Sequence, residues 1–310
     1  MSHSQDRKIN NCAVIGGNGA VGTMFVGFLR ADGVDVQVID LVAPDATDND
    51  SLARITGDIT HPTSEMAKVL RSVDCVLFAV PEGVTLAGID AISSIVSNDV
   101  LIAHTCSVQG PVATKLEELG QPLESVGFNP MFGPSLPPRG RPVAAIVVRD
   151  GPLVRHLISI VERTGARVIE TNATEHDRVC SVSQAATHAA IFSFGLSLLD
   201  SGVSIEVLAQ LAPPPCVTLL SLLARIATAA PEVYWDVQAE NPNGTAARRA
   251  LTDGQLRLNH FIDVGSYREF EDALGEIATY FGAGLEYFAG VGQGLLLGLP
   301  KFSDEGFSAR

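Results

Sequence analysis

Basic residues are scarce in this chain of 310 residues, where 21 lysines and arginines stand against 35 aspartates and glutamates for a formal net charge of -14. That balance repels a phosphate backbone, and no basic stripe offsets it, so nucleic acid is excluded as an expected partner. Cysteine is sparse as well. Cys12, Cys75, Cys106, Cys180 and Cys216 are odd in number, scattered, and free of any Cys-x-x-Cys pair, which argues for reduced thiols and no metal site. No apolar run is seen to approach the roughly eighteen residues of a membrane helix. Residues 1–11 are polar and lack the apolar centre of a secretory signal. The chain is therefore expected in the cytoplasm, with no membrane partner. Internal repeats and low-complexity segments are also missing.

What is abundant is apolar sequence, 46% of the residues, enough for a large core and, at this length, for two domains. Residues 11–15 form a short apolar run ending in glycines, 22–30 continue with helical spacing, and 34–39 resume an extended pattern, which together make one βαβ unit. Apolar runs at 76–80, 100–103, 125–128, 143–148 and 167–170 then alternate with helical stretches such as 63–71 and 153–164. This alternation implies a mostly parallel sheet covered on both faces. After about residue 172 the strand signal fades, and 174–199, 205–211, 218–229 and 270–288 read as helices. The expected fold is an α/β Rossmann-type domain over 1–172 followed by an all-α domain over 173–310. Thr174 and Asp177 have the spacing of a capping box, Pro213-Pro214-Pro215 forces a break between apolar helices, and Asn241-Pro242-Asn243-Gly244 marks a turn.

Gly16-Gly17-Asn18-Gly19-Ala20-Val21-Gly22 joins the first strand to the first helix and carries the Gly-x-Gly-x-x-Gly spacing at Gly17, Gly19 and Gly22. In this reading Gly17 makes the tight turn, Gly19 lets a pyrophosphate approach the backbone, and Gly22 lets helix and strand pack closely. The amides of Asn18, Ala20 and Val21 sit at an anion-attracting helix terminus. Asp40 closes the second strand eighteen residues after Gly22. A carboxylate there accepts from a ribose 2'-hydroxyl and repels a 2'-phosphate, so the expected cofactor is NAD in preference to NADP. By analogy with related folds, Val80 and Pro81 flank the adenosine or ribose.

Gly127-Phe128-Asn129-Pro130-Met131-Phe132-Gly133-Pro134 places one amide side chain among aromatic, proline and glycine residues, a composition suited to a rigid pocket wall. Together with the glycine loop, Ala79-Val80-Pro81, Cys106-Ser107-Val108-Gln109, and Glu175-His176-Asp177 followed by Gln184 and His188, this segment resembles the prephenate dehydrogenases. The likeness extends over 13–288, with weaker echoes at Tyr234-Trp235-Asp236 and Tyr280-Phe281-Gly282. It implies hydride transfer from C4 of a cyclohexadiene to the nicotinamide while carbon dioxide leaves C1. It also implies that the helical domain supplies substrate contacts and a homodimer interface.

In that family a catalytic histidine stands where this chain has Asn129. An amide carbonyl accepts a hydrogen bond but has no useful basicity, so general-base help of about 10²-fold is missing for a hydroxyl substrate. A 4-amino group needs no such help, because its own lone pair expels the hydride while the Asn129 carbonyl orients one N–H. The expected substrate is 4-amino-4-deoxyprephenate and the product 4-aminophenylpyruvate.

The resemblance makes Ser107 a contact to substrate and nicotinamide. It makes Gln184 and His188 partners of the pyruvyl chain or ring carboxylate, on a polar stripe of Asp177, Ser181, Gln184 and His188 along an apolar helix. Gln109 stands where the family commonly has lysine, and His104 where it has an acid. Two substrate carboxylates call for arginine, with Arg248, Arg249 and Arg257 as candidates, while Trp235 and Gln293 fall near family arginine positions. Two other readings stay open: a prephenate or arogenate dehydrogenase in which His104 or His188 is the base, and a non-catalytic NAD-binding regulator.

Overall fold

The structure, a computed structural model, describes residues 7–43, 52–120 and 122–299. Residues 1–6 of the polar leader lie outside the described residues. The chain divides into two compact units, Met1–Cys180 and Ser181–Arg310.

The first unit is built on one sheet of eight strands, β1 (Asn11–Ile15), β2 (Asp35–Asp40), β3 (Ala53–Thr56), β4 (Cys75–Phe78), β5 (Leu101–His104), β6 (Glu124–Pro130), β7 (Pro142–Arg149) and β8 (Arg167–Thr171), in the order β3-β2-β1-β4-β5-β6-β7-β8. From β3 through β6 all neighbours are parallel, β6 and β7 are antiparallel, and β8 runs parallel to β7. The mostly parallel sheet expected from the apolar alternation is present. The reversal comes where no helix separates β6 from β7, since only an antiparallel neighbour can be reached without a crossover.

Strands buried on both faces explain the unbroken apolar runs. Every residue of β4 and β5 is buried. Along β1 the side chains alternate, Cys12 and Val14 entering one core layer, Ala13 and Ile15 the other. The first layer is closed by α1 (Ala20–Ala31) and α5 (Pro152–Arg163), through Phe25, Leu29, Leu157 and Val161. The second is closed by α2 (Ser64–Leu70), α3 (Glu82–Ile92) and α4 (Gly110–Glu118), through Met66, Ile89 and Val112. Phe25 meets Phe128 of β6 at 5.9 Å between ring centroids.

Three local differences from the sequence reading have plain causes. β3 is a four-residue edge strand with half-exposed side chains, too short and too wet to show an apolar period. β6 continues through Pro130, so Asn129 is a strand residue paired with Ala144. The last helix of this unit, α6 (Ala173–Cys180), is capped by Asn172, whose Oδ1 accepts from the Glu175 amide at 2.9 Å. The Thr174–Asp177 capping box does not form, because Asp177 is engaged elsewhere.

The second unit starts with a π-helical turn, Ser181–Ala186, and continues through α7 (Thr187–Leu199), α8 (Ile205–Leu211), α9 (Pro214–Ala227), α10 (Pro231–Ala239), α11 (Gly244–Asp263), α12 (Tyr267–Phe281) and α13 (Leu285–Leu297). The proline triplet marks the expected break, with α8 ending at Leu211, Pro213 capping α9 and Pro214 and Pro215 in its first turn, where the missing amide protons are not needed. α11 spans twenty residues and escapes the sequence reading because its face is polar. α7 and α9 approach closely at Gly195, where a Cβ would lie 2.6 Å from the Leu223 side chain. The stretch Ala173–Leu199 is long and apolar enough, by length and composition, to cross a membrane, which corrects the expectation that no such run exists.

Candidate active site

The strand order reverses between β1 and β4, and the two loops that leave these strands, at Gly16 and at Ala79, open a cleft outside the carboxyl ends of the sheet. Ligands of doubly wound sheets bind at such switch points. The cleft has a volume of about 950 Å³ and is lined by Gly16 to Gly19, Asp40, Arg54, Val80 and Pro81, among others. Gly16, with φ +78°, makes the tight turn; its amide donates to Ile39 O at 2.8 Å and its carbonyl accepts from the Gly19 amide at 3.1 Å. The turn was expected at Gly17. Gly17 instead brings the loop against β2, where a Cβ would lie 2.7 Å from the Val38 methyls. At Gly22 a Cβ would overlap the Gly16 carbonyl oxygen, so α1 can pack against the turn only through glycine.

Gly19 caps α1 with no side chain, which leaves the first-turn amides of Ala20, Val21 and Gly22 without a side-chain partner. These orphan donors and the helix dipole favour an anion. Asp40 holds the loop from below, accepting from the Asn18 amide at 2.9 Å and from the Val42 amide at 3.0 Å. The Asn18 side chain donates to Val42 O at 2.7 Å and accepts from Arg54 Nε at 3.3 Å. Arg54 was not anticipated, because it lies on the unrecognised β3. A backbone cradle that any Cβ would fill, bare helix amides and a carboxylate at the end of β2 fit a dinucleotide with an unphosphorylated ribose.

A second cluster surrounds Asn129, which is only 3% exposed. Its Nδ2 lies 3.1 Å from His176 Nε2, 3.4 Å from the Ser107 carbonyl and 3.9 Å from Cys180 Sγ. His176 Nδ1 lies 2.8 Å from Asp177 Oδ1, and both residues are buried. The Asp177 carboxylate also accepts from the Gln109 amide at 2.9 Å and the Gly110 amide at 2.8 Å, at the positive end of α4. Cys180 Sγ stands 3.3 Å from His176 Nε2. The sequence reading placed weight on Gln184 and His188 and missed His176 as the group that touches Asn129 and Asp177 as the group that holds His176.

Gln109, expected to meet substrate, is fully buried. Its Nε2 donates to Cys106 O at 2.6 Å and to Phe128 O at 3.4 Å, bracing the loop after β5 against β6. Its Oε1 and His104 Nε2 have no partner, and both crowd the Cα of Gly127, where a Cβ would collide with them. Burial first, and then the neighbouring His176, push His104 down to about 3, with Asp177 opposing. So weak a base is a poor substitute for the family histidine.

Within the helical unit, Gln184 Oε1 and His188 Nδ1 are buried and unpartnered. The His188 ring meets Tyr234 edge-on at 4.9 Å, and burial, followed by the charge of Arg225, lowers its basicity. Asp177 and Ser181 are buried, Gln184 and His188 are half-buried, and the π turn Ser181–Ala186 lies within this polar series. Arg248, expected as a carboxylate clamp, donates to Gln238 O at 2.6 Å and Gln238 Oε1 at 3.1 Å, and Gln238 in turn donates to Ala185 O at 2.7 Å, so the pair braces the π turn. Arg257 pairs with Glu276 at 3.1 Å and lies over the Phe261 ring. Arg249, Trp235 and Gln293 are exposed.

Residues 25–141 match the model of the prephenate dehydrogenase nucleotide-binding domain, and residues 172–276 match that of the prephenate dehydrogenase dimerization domain. A 4-amino-4-deoxyprephenate dehydrogenase of Streptomyces pristinaespiralis is 42% identical over 271 residues, covering 87% of this chain and 91% of the relative. The chain belongs to the prephenate dehydrogenase family. A T-protein of Haemophilus influenzae is 26% identical over 90% of this chain and 69% of its own length. Among solved structures, a prephenate dehydrogenase from A. aeolicus in complex with hydroxyphenyl propionate and NAD+ aligns with a TM-score of 0.71 at 22% identity, over 87% of this chain and 96% of the other. Membership makes the protein an oxidoreductase with a Rossmann-type nucleotide-binding domain, as the resemblance implied, and does not favour a non-catalytic regulator.

Proposed function

We propose that the protein is an NAD-dependent dehydrogenase that converts 4-amino-4-deoxyprephenate to 4-aminophenylpyruvate, carbon dioxide and NADH. One observation carries this reading: the buried side chain at position 129 is an amide, which accepts a hydrogen bond but takes up no proton. The likeness to the Streptomyces pristinaespiralis dehydrogenase supports it.

Gly17, Asn18 and Gly19 shape the loop that the pyrophosphate would approach, the backbone amides of Ala20, Val21 and Gly22 would hold it, Asp40 would accept from the adenosine ribose, and Val80 and Pro81 would wall the cleft. When bound, NAD supplies the hydride acceptor. Asn129 offers a carbonyl to one N–H of the substrate amine and takes up no proton. An uncharged 4-amino group needs no proton sink, because its lone pair forms the C–N π bond as the C4–H pair departs. Breakage of the C1–carboxylate bond then returns two electrons to the ring, leaving a neutral aromatic amine. A 4-hydroxyl gains from losing its proton in the same step, and nothing at residue 129 receives it. Ser107 orients the substrate beside Asn129. Gln184, through its side-chain NH2, and His188, through a ring N–H, donate to the substrate's pyruvyl chain or ring carboxylate, and Arg257 and the exposed Trp235 and Gln293 remain proposed contacts to its carboxylates.

In this reading residues 1–172 bind the dinucleotide, residues 173–310 bind substrate and pair two copies as a homodimer, and the enzyme works in the cytoplasm. The apolar faces of α7 to α13 and the match to a dimerization domain support the pairing.

The test is NADH formation by the purified protein with 4-amino-4-deoxyprephenate, prephenate and arogenate. The amino compound is expected to show a kcat/KM about 10²-fold above that of prephenate. Equal turnover of prephenate would overturn the assignment.

A further inference from the structure

We propose that His176, fixed by Asp177, is a positioning residue that decides which end of the Asn129 amide faces the substrate. This inference rests on the proposed amino substrate and adds the device that enforces it.

The argument starts at Asp177. An ionised carboxylate only accepts hydrogen bonds, and this one already accepts from two backbone amides at the start of α4. The His176 nitrogen 2.8 Å from it must therefore carry the proton, so Nδ1 donates to Asp177 Oδ1. In neutral imidazole the other nitrogen is then an acceptor. Nε2 lies 3.1 Å from the Asn129 side chain and requires an N–H from it. The Cys180 thiol, 3.3 Å away, is a weaker donor to the same lone pair.

The consequence is a fixed polarity. The Asn129 NH2 group turns inward, shared between His176 Nε2 and the Ser107 carbonyl. Its carbonyl oxygen takes no hydrogen bond from the described residues and is not among the buried polar atoms left without a partner, so it reaches the open side of a residue that is otherwise sealed. The site thus presents an acceptor. An amine whose lone pair conjugates into the ring offers N–H donors and no good acceptor, and it matches. Were the amide reversed, its NH2 would face outward, which suits a hydroxyl oxygen and opposes the amine.

Two substitutions separate polarity from mere packing. His176→Gln places an amide oxygen near the Nε2 position, so it keeps the acceptor for Asn129 and loses the link to Asp177. His176→Asn places its amide near Nδ1, so it keeps the link and loses the acceptor. The readout is the ratio of kcat/KM for 4-amino-4-deoxyprephenate to that for prephenate. His176→Gln is expected to hold the wild-type ratio within about threefold, and His176→Asn to lower it about tenfold or more, for loss of one oriented hydrogen bond of ~1.4 kcal/mol. If both variants slow the two substrates in parallel, His176 is only structural and the proposal fails. Independently of any variant, nitrogen NMR of the wild-type protein labelled at histidine is expected to show His176 protonated at Nδ1 and bare at Nε2. A proton on Nε2 would overturn the proposal. A wild-type enzyme without preference for the amine would instead overturn the functional reading beneath it, before any variant is made.

Discussion

In residues 7–180 the sheet and its helices seal Phe25, Phe78 and Phe128 completely, whereas in residues 181–299 Phe192, Phe281 and Phe288 remain more than a third exposed. Only six of the exposed large apolar side chains lie in the first region; all the others lie in the second. Both regions draw on the same kind of apolar sequence, so the difference lies in how it is closed. A doubly wound sheet supplies its own cover through crossover helices on both faces. A set of helices with apolar surface beyond what its own packing covers needs another surface, and the proposed homodimer would supply it from a second copy. The membrane-like apolarity of Ala173–Leu199 has the same source, since the helix also carries the buried His176–Asp177 pair, which lipid would penalise.

Breaking the helical region should therefore show as lost association. Leu199, 80% exposed on α7, is expected on replacement by Asp to weaken self-association about 30-fold or more, roughly 2 kcal/mol, measured by sedimentation across a concentration series. Leu136→Asp, at an exposed position of the first region, is expected to leave association unchanged, and equal effects from both would dissolve the contrast. The first region should fail in cofactor binding instead. Gly22→Ala pushes a methyl into the Gly16 carbonyl, and titration calorimetry is expected to show NAD affinity down about tenfold with association intact.

A further expected effect is a pH dependence of stability confined to the sealed core. Burial pushes the His104 imidazole down to about 3 from the ordinary 6.5. Between those values the unfolded state holds the proton and the folded state does not, so stability is fully present above about 6.5 and falls as pH drops through the window. The slope from this side chain reaches ~1.4 kcal/mol per pH unit. Denaturant unfolding of wild type and His104→Gln from pH 7 to 4 should show that component disappear in the variant; parallel curves would mean that His104 is not kept neutral.

The two regions also differed in legibility. β1, α1 and β2 could be read because a two-residue period, a glycine run and a helical period stand side by side, each a local signal. Asn129 could be read because an amide among prolines and aromatics is chemically conspicuous. The partners that orient it could not, since His176 lies 47 residues away in sequence and Asp177 reaches Gln109 across 68. No local pattern encodes such contacts. The π turn at Ser181–Ala186 leaves no mark in composition, yet it draws Gln238 and Arg248 into support. α11 was invisible because a helix with a polar face resembles a loop when only apolar periods are counted.

The central claim is that residue 129 selects its substrate by having no basicity, and Asn129→His tests it most directly. Steady-state NADH formation by this variant is expected to show kcat/KM for prephenate rising at least about tenfold while that for 4-amino-4-deoxyprephenate falls. A folded, NAD-binding variant with prephenate turnover no higher than wild type would contradict it.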